Sequence, residues 1–190
     1  MTEPPIVLGI AGASGTRIGV ETATALADHR PVYTVLTDGA KAVMDHETDS
    51  REETMATLRT VSERLYEEAD LMAPIASGSV KTEGMVIAPA SMKTVSAIAN
   101  GYADTLLVRA AEVTLKEDRT LVVVPRESPL TEPHLENLLA LRKRGVAIVP
   151  PVLGFYYDPE SIGDVLDRIV GSVLDRFEFE HDRYEPYDPD

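Results

Sequence analysis

The chain has 190 residues, 44% of them hydrophobic, and its 32 acidic and 18 basic side chains give a formal net charge of −14. This length suits one domain with a real core. The excess of acidic side chains argues against binding free nucleic acid. The apolar stretches are too short to span a membrane, so we expect a cytoplasmic protein. The absence of cysteine excludes disulfides, thiolate metal sites and a cysteine nucleophile.

Five short apolar runs alternate along the chain with segments of helical periodicity. The runs cover residues 6–11, 32–37, 85–89, 121–125 and 146–150. This alternation is typical of βαβ units, so we predict a single α/β domain built around a parallel sheet.

Two segments between these runs predict helices of different kinds. Residues 45–73 are polar with scattered leucines and predict one or two surface helices. Residues 103–118 predict a helix that is buried over much of its circumference. Arg109 and Lys116 are seven residues apart, so both lie on one face of that helix.

The C-terminal part of the chain predicts one more helix and a tail. Asp158 and Pro159 predict the cap and the first residue of a helix that closes the fold. The acidic tail at residues 178–190 contains Tyr184 and Tyr187. It is either disordered or folded over a site.

A glycine-rich loop joins the first strand to a helix that begins at about Arg17. Residues 9–15 read Gly-Ile-Ala-Gly-Ala-Ser-Gly. Such a loop lets backbone N–H groups meet a phosphate. The spacing matches neither the dinucleotide fingerprint nor the P-loop, so a plain tight turn is the alternative. Ser14 would add a hydroxyl beside the ligand, but the frame of a hydrolase nucleophile is missing.

A second loop of this kind, at residues 88–94, places Ser91 and Thr94 before another helix. An anion site or an ordinary N-cap at Ser91 explains it. Because parallel strands end at one edge of the sheet, polar groups that follow several strands are expected to share one crevice. These groups are Ser14, Thr37, Ser91, Thr94, Arg126 and Glu127.

Arg126 and Glu127 directly follow the apolar run at residues 121–125. A carboxylate beside Arg126, Arg109 and Lys116 is a candidate proton carrier, although a structural ion pair explains Glu127 as well.

The four histidines lack the spacing of metal ligands, so we predict no metal site. They are His29, His46, His134 and His181. Thr131 and Pro133, just before His134, predict the start of a helix.

Ordered motifs between residues 7 and 177 resemble the UbiX-type flavin prenyltransferases. They are GASG at 12–15, PIASGS at 74–79, SMKT at 91–94, RAAEV at 109–113, LKE at 115–117, PRE at 125–127 and GFY at 154–156. The resemblance implies a three-layer, flavodoxin-like Rossmann domain over residues 1–177. It also implies that the chain binds FMN, needs no metal and forms a homo-oligomer with sites between subunits.

The activity that the resemblance implies is transfer of a dimethylallyl group from dimethylallyl phosphate to N5 and C6 of reduced FMN. The prenylated FMN would pass to a UbiD-type decarboxylase. By position, FMN would be held by Gly12, Ala13, Ser14, Thr37, Ser91, Met92, Lys93, Thr94 and Arg126. The donor phosphate would be surrounded by Arg109, Lys116, Glu127, Tyr156 and Ser172. The expected catalytic residues are Ser14, near flavin N5, and Glu127, as general acid to the departing phosphate.

The chain departs from the family pattern on the last helix. The family usually has an arginine or lysine where Ser172 stands here. Arg168 and Arg176 lie one turn before and one turn after it, so either is a candidate replacement. Two milder changes are Ala90, where many relatives have cysteine, and Thr37, where serine is common.

Two other functions compete with prenyl transfer. An FMN-dependent cysteine decarboxylase of related fold would need a catalytic histidine in an early helix, and no matching block is evident. An FMN-binding accessory subunit of a decarboxylase would not need Arg109, Lys116, Glu127 and Tyr156 together.

Overall fold

The computed structural model describes residues 3–185, which are built around a six-stranded parallel sheet. The strands are β1 (Ile6–Ile10), β2 (Val32–Leu36), β3 (Arg64–Glu67), β4 (Gly84–Ala90), β5 (Thr120–Pro125) and β6 (Ala147–Ile148). Their order across the sheet is β3-β2-β1-β4-β5-β6. Every neighbouring pair is parallel, which confirms the predicted fold class.

Strand β3 is absent from the sequence-based prediction, which assigned surface helices to its segment. It pairs with β2 at one edge of the sheet, with Leu65 opposite Thr34. Its side chains are exposed or half-buried, so it lacks the apolar run that marks a central strand. The five predicted strands alone follow the flavodoxin-like order, and β3 extends it to the Rossmann order.

Helices cover both faces of this sheet. They are α1 (Thr16–Ala27), α2 (Asp38–Glu47), α3 (Arg51–Val61), α4 (Met92–Ala99), α5 (Leu106–Lys116), α6 (Glu132–Lys143) and α7 (Ile162–Leu174). Successive side chains of a strand point to opposite faces of the sheet, so the protein has two hydrophobic cores. Leu8 packs in the core formed with α1, α2, α3 and α7. Val7 packs in the core formed with α4, α5 and α6. Within residues 3–185, no helix is long and apolar enough to cross a membrane.

The helix boundaries confirm one predicted start and correct another. Thr131 caps α6, as predicted. The prediction that Asp158 caps the last helix is wrong, because Asp158 has a φ of 48° and lies in the preceding loop. Ser161 caps α7 instead. Its hydroxyl accepts a hydrogen bond from the N–H of Asp164 at 3.2 Å, and the Asp164 carboxylate accepts one from the N–H of Ser161 at 2.8 Å.

The described part of the tail, up to residue 185, packs on the domain. Phe179 stacks on His29 with ring centroids 4.7 Å apart. The ring of Tyr184 covers Gly171, where a Cβ atom would lie 2.5 Å from it. The Tyr184 hydroxyl donates a hydrogen bond to Asp175. Residues 179–185 therefore fold over α7, while Tyr187 lies outside the described residues.

Candidate functional site

The carboxyl ends of β1, β2 and β4 open on a cavity of about 170 Å³. The strand order reverses between β1 and β4, which is the place where open α/β sheets bind ligands. Five residues predicted to hold FMN line the cavity, namely Gly12, Thr37, Ser91, Lys93 and Thr94. Of the six polar residues expected to share one crevice, Thr37, Ser91 and Thr94 line this cavity. Ser14, Arg126 and Glu127 are not among its lining residues.

Two glycines allow the loops around this cavity to meet. A Cβ atom on Gly12 would lie 2.8 Å from the backbone of Gly39, so any side chain at residue 12 would push the first two loops apart. Gly15 has a φ of 107°, a left-handed conformation that glycine adopts at low cost, just before α1.

The backbone N–H groups at the start of α1 bind a carboxylate of the protein itself. Glu47 Oε2 accepts hydrogen bonds from the N–H groups of Gly15 at 2.8 Å and Thr16 at 3.0 Å. Partial burial acts to raise the pKa of Glu47, but hydrogen bonds from the Ser14 hydroxyl and from these N–H groups outweigh it and lower the pKa. The anion at this helix start is therefore Glu47, where the sequence suggested a phosphate.

We expect Glu47→Gln to lower the free energy of unfolding by about 0.5–1 kcal/mol at neutral pH, because a charge at a helix N-terminus is lost from an exposed site. The folded-state pKa of Glu47 is lowered, so its contribution is complete above the ordinary value of 4.5 and disappears as the pH falls through the lowered pKa. Urea titrations of both proteins at several pH values measure this difference. A difference that persists unchanged in acid would contradict the assignment.

The start of α4 offers a second group of hydrogen-bond donors for an anion. The Ser91 and Thr94 hydroxyl oxygens are 3.0 Å apart, and the first N–H groups of the helix have no partner within it. The backbone N–H of Arg126 donates to Ala90 O at 3.0 Å, which brings a cation beside this helix start. Arg126 Nε is buried and has no hydrogen-bond partner within residues 3–185. A buried donor without a partner fits a site that an anionic cofactor completes.

Other predicted FMN residues have structural tasks as well. Ala13 and Met92 are buried among apolar side chains, so they can offer a ligand only backbone groups. Thr37 caps α2 by accepting a hydrogen bond from the N–H of Ala40 at 3.0 Å. Ser91 caps α4 by accepting one from the N–H of Thr94 at 3.3 Å, so the simple capping interpretation is also correct.

The sequence-based prediction missed several residues of the crevice. Glu68, Asp104 and Thr105 line the cavity. The Glu68 carboxylate accepts a hydrogen bond from the N–H of Asp38 at 2.8 Å, at the start of α2. The missing signal was β3, because Glu68 directly follows that strand as the other polar residues follow theirs.

The two predicted phosphate-binding cations on α5 lie beside the loop at residues 74–79. Arg109 Nε donates to Ala76 O at 3.2 Å, and Lys116 Nζ pairs with Glu117 at 2.6 Å. Helix α5 packs on one face of the sheet.

The remaining predicted donor-binding residues lie elsewhere. Ser172 lies on α7, which packs against the opposite face of the sheet, and the Tyr156 hydroxyl accepts a hydrogen bond from Arg168 of the same helix. The Ser172 hydroxyl donates to Arg168 O at 2.9 Å within the helix. Glu127 is exposed, and its carboxylate accepts a hydrogen bond from the N–H of Ser128 at 3.0 Å. No cation within residues 3–185 lies within ion-pair distance of it. The residues predicted to bind the donor phosphate are thus divided between the two faces of the sheet, and the roles assigned to them stay predictions.

No group of three or more histidine and acidic side chains able to hold a metal ion occurs in the described part of the chain.

The fold and the crevice indicate a ligand-binding α/β protein. Comparison with known sequences identifies its family. The Flavoprotein family matches residues 1–174. The flavin prenyltransferase LpdB of Lactiplantibacillus plantarum is 47% identical over 175 residues, which cover 90% of this chain and 91% of LpdB.

Solved structures agree with the sequence relatives. AnUbiX, crystallised with FMN and dimethylallyl pyrophosphate, is 37% identical and superposes with a TM-score of 0.93 over 98% of each chain. A dodecameric FMN-dependent UbiX-like decarboxylase from Escherichia coli O157:H7 is 41% identical, with a TM-score of 0.90 over 97% of this chain and 99% of that one. The chain belongs to the UbiX-like flavin prenyltransferases of the Flavoprotein family. This confirms the predicted family, enzyme class and flavin cofactor.

Proposed function

We propose that the protein transfers a dimethylallyl group from dimethylallyl phosphate to N5 and C6 of reduced FMN, and that a UbiD-type decarboxylase receives the prenylated FMN. The observation that carries the proposal is the crevice at the strand reversal, where the predicted FMN loops converge and Arg126 leaves a buried donor without a partner. The names of the most similar relatives support it.

The residues of the crevice divide the work of binding FMN. The start of α4, with Ser91, Thr94 and Arg126, would hold an anionic group through N–H groups, hydroxyls and a cation. Gly12 and Gly39 let the loops after β1 and β2 touch beside the crevice. Glu68 and Asp104 offer acceptors for hydroxyl groups.

The chemical step needs cations and a proton donor around the phosphate. Reduced FMN supplies the two atoms that are alkylated. Breaking the allylic C–O bond leaves negative charge on the phosphate, which Arg109 and Lys116 would stabilise. Glu127 would give the leaving phosphate a proton. Ser14, whose hydroxyl is bonded to the ionised Glu47, would accept a proton near flavin N5 and have a carboxylate to pass it to.

A complete site of this kind requires more than one subunit. Arg109 and Lys116 lie on α5, which packs on one face of the sheet, whereas Tyr156 bonds to Arg168 of α7, which packs on the other face. The loop around Tyr156 also exposes Leu153 and Phe155, by 63% and 82%. Apolar side chains this exposed mark a surface that a partner covers. We therefore place the donor site between α5 of one subunit and α7 of another.

Subunit mixing tests this arrangement. We expect Arg109→Ala and Tyr156→Ala to be inactive alone but to recover about a quarter of wild-type activity when co-expressed, because random assembly leaves about one site in four intact. The assay is the rate of flavin prenylation by hetero-oligomers purified through two different tags. If each site lay within one chain, co-expression would leave activity at the average of the two variants.

The reaction itself is tested by anaerobic incubation of the protein with FMN, a reductant and dimethylallyl phosphate, followed by mass analysis of the flavin. A dimethylallyl adduct is expected. Flavin that is bound but unmodified would indicate the FMN-binding accessory subunit instead. Parallel samples with the diphosphate decide between donors, since one related structure holds dimethylallyl pyrophosphate. Oxidation of a peptide cysteine would instead indicate the cysteine decarboxylase.

A further inference from the structure

Ser172 cannot contribute charge to an anion site on α7. Its hydroxyl donates to Arg168 O at 2.9 Å and is satisfied within the helix. A neutral hydroxyl binds a phosphate group more weakly than a cation does. If α7 helps to bind the donor phosphate, another residue has to supply the positive charge.

Arg168, one turn before Ser172, carries a positive charge that no carboxylate among residues 3–185 pairs with. Its Nη2 donates to the Tyr156 hydroxyl at 2.9 Å. Arg183, by contrast, pairs with Asp167 at 2.6 Å. A half-buried arginine that is held by a tyrosine, with no carboxylate of the described residues paired to it, is suited to binding an external anion.

Aromatic rings fix the guanidinium of Arg168 in place. Its central carbon lies 3.8 Å from the ring centroid of Tyr184, and 5.8 and 5.9 Å from those of Tyr156 and Tyr157. Stacking occupies the face of the guanidinium and leaves N–H groups on its edge for a ligand. The Tyr157 hydroxyl is buried without a partner in the described part of the chain, so it is a second donor in the same cluster.

The tail holds Tyr184 against Arg168. The Tyr184 hydroxyl bonds to Asp175, and His181 Nε2 lies 3.2 Å from the same carboxylate. The Arg183–Asp167 pair ties the segment to α7 once more. Residues 179–185 thus act as a clamp over the helix.

We propose that Arg168, clamped between Tyr156 and Tyr184, is the cation of α7 that binds the phosphate group of the prenyl donor, and that residues 179–185 position it. The proposal rests on the proposed function and names a substrate-binding residue for it. Arg176, the other candidate, is exposed on the turn after α7.

The main test compares Arg168→Met with Arg176→Met, which removes the same charge one turn beyond Ser172. We expect Arg168→Met to lower kcat/KM for dimethylallyl phosphate by about 10- to 100-fold, mostly through KM, as loss of a charged hydrogen bond predicts. Arg176→Met should retain wild-type values. FMN affinity, measured by flavin fluorescence, should be unchanged in both.

Binding without turnover provides an independent readout. Calorimetric titration of dimethylallyl phosphate into the protein loaded with oxidised FMN should show weaker binding for Arg168→Met by the same factor. Adding Ser172→Arg to that variant should restore part of the affinity, because it returns a cation to the helix.

The clamp has its own matched pair. Tyr184→Phe keeps the ring over Arg168 and should retain the wild-type KM, whereas Tyr184→Leu should raise it several-fold. Equal KM values for Arg168→Met and wild type, in a wild type that makes the adduct, would overturn the proposal. A wild type that makes no adduct would instead overturn the proposed function. In that case, the calorimetric affinities of wild type and Arg168→Met for dimethylallyl phosphate would still test whether Arg168 binds the phosphate.

Discussion

Glu127→Gln is expected to lower kcat for flavin prenylation by about 10²- to 10⁴-fold, the usual contribution of a general acid. Glutamine has the same shape and still accepts the hydrogen bond from the N–H of Ser128, so the fold should be retained. In the proposed mechanism, the variant lacks the proton that Glu127 gives to the departing phosphate. Stopped-flow measurement of the flavin spectrum under anaerobic conditions gives the rate directly.

The pH dependence separates proton donation from simple binding. Loss of a proton donor should change the pH–rate profile of the variant relative to that of the wild type. Glu136→Gln is the matched control, because Glu136 is an exposed carboxylate on α6. A variant with the full rate and an unchanged pH profile would show that Glu127 is not the acid.

Arg126→Met is expected to weaken FMN binding by about 10- to 100-fold while stabilising the FMN-free protein by about 1 kcal/mol. The two effects have opposite signs for one reason. Arg126 Nε is buried without a hydrogen-bond partner in residues 3–185, which costs stability until a ligand accepts its hydrogen bond. Flavin fluorescence titration and thermal unfolding without FMN measure the two quantities.

Arg119→Met is the control for this experiment. Arg119 donates hydrogen bonds to Val80 O at 2.9 Å, Thr82 Oγ1 at 3.1 Å and Gly78 O at 3.0 Å, so its loss should destabilise the protein and spare FMN binding. Lower stability with unchanged FMN affinity in Arg126→Met would make Arg126 a structural residue and remove it from the site.

The central strands were predictable because their burial is visible in the sequence. Strands β1, β4 and β5 are almost entirely buried, and each is a continuous apolar run. Strand β3 escaped prediction because an edge strand buries too little surface to need apolar residues. The cap of α7 was misplaced because Asp158-Pro159 and Ser161 both carry signals for a helix start, and only the backbone shows that Asp158 is in a turn.

The loops of the site were predictable for a related reason. Ser14, Thr37 and Ser91 follow buried parallel strands, and parallel strands end at the same edge of a sheet. Glu47 was not predictable, since it lies 32 residues from Gly15 in sequence and reaches α1 only because α2 folds back beside it. Its carboxylate occupies N–H groups that the sequence suggested for phosphate.

The sequence by itself determined the class of fold, the crevice where the polar loops meet and the family. These depend on local patterns: apolar runs, glycines where backbones touch, and ordered motifs. Only the tertiary structure decided that Glu47 binds the start of α1, that Arg126 has a buried donor without a partner in residues 3–185, and that Arg168 bonds to Tyr156. These features depend on which way each side chain points and on how deeply it is buried in the folded protein. A local sequence pattern contains neither kind of information.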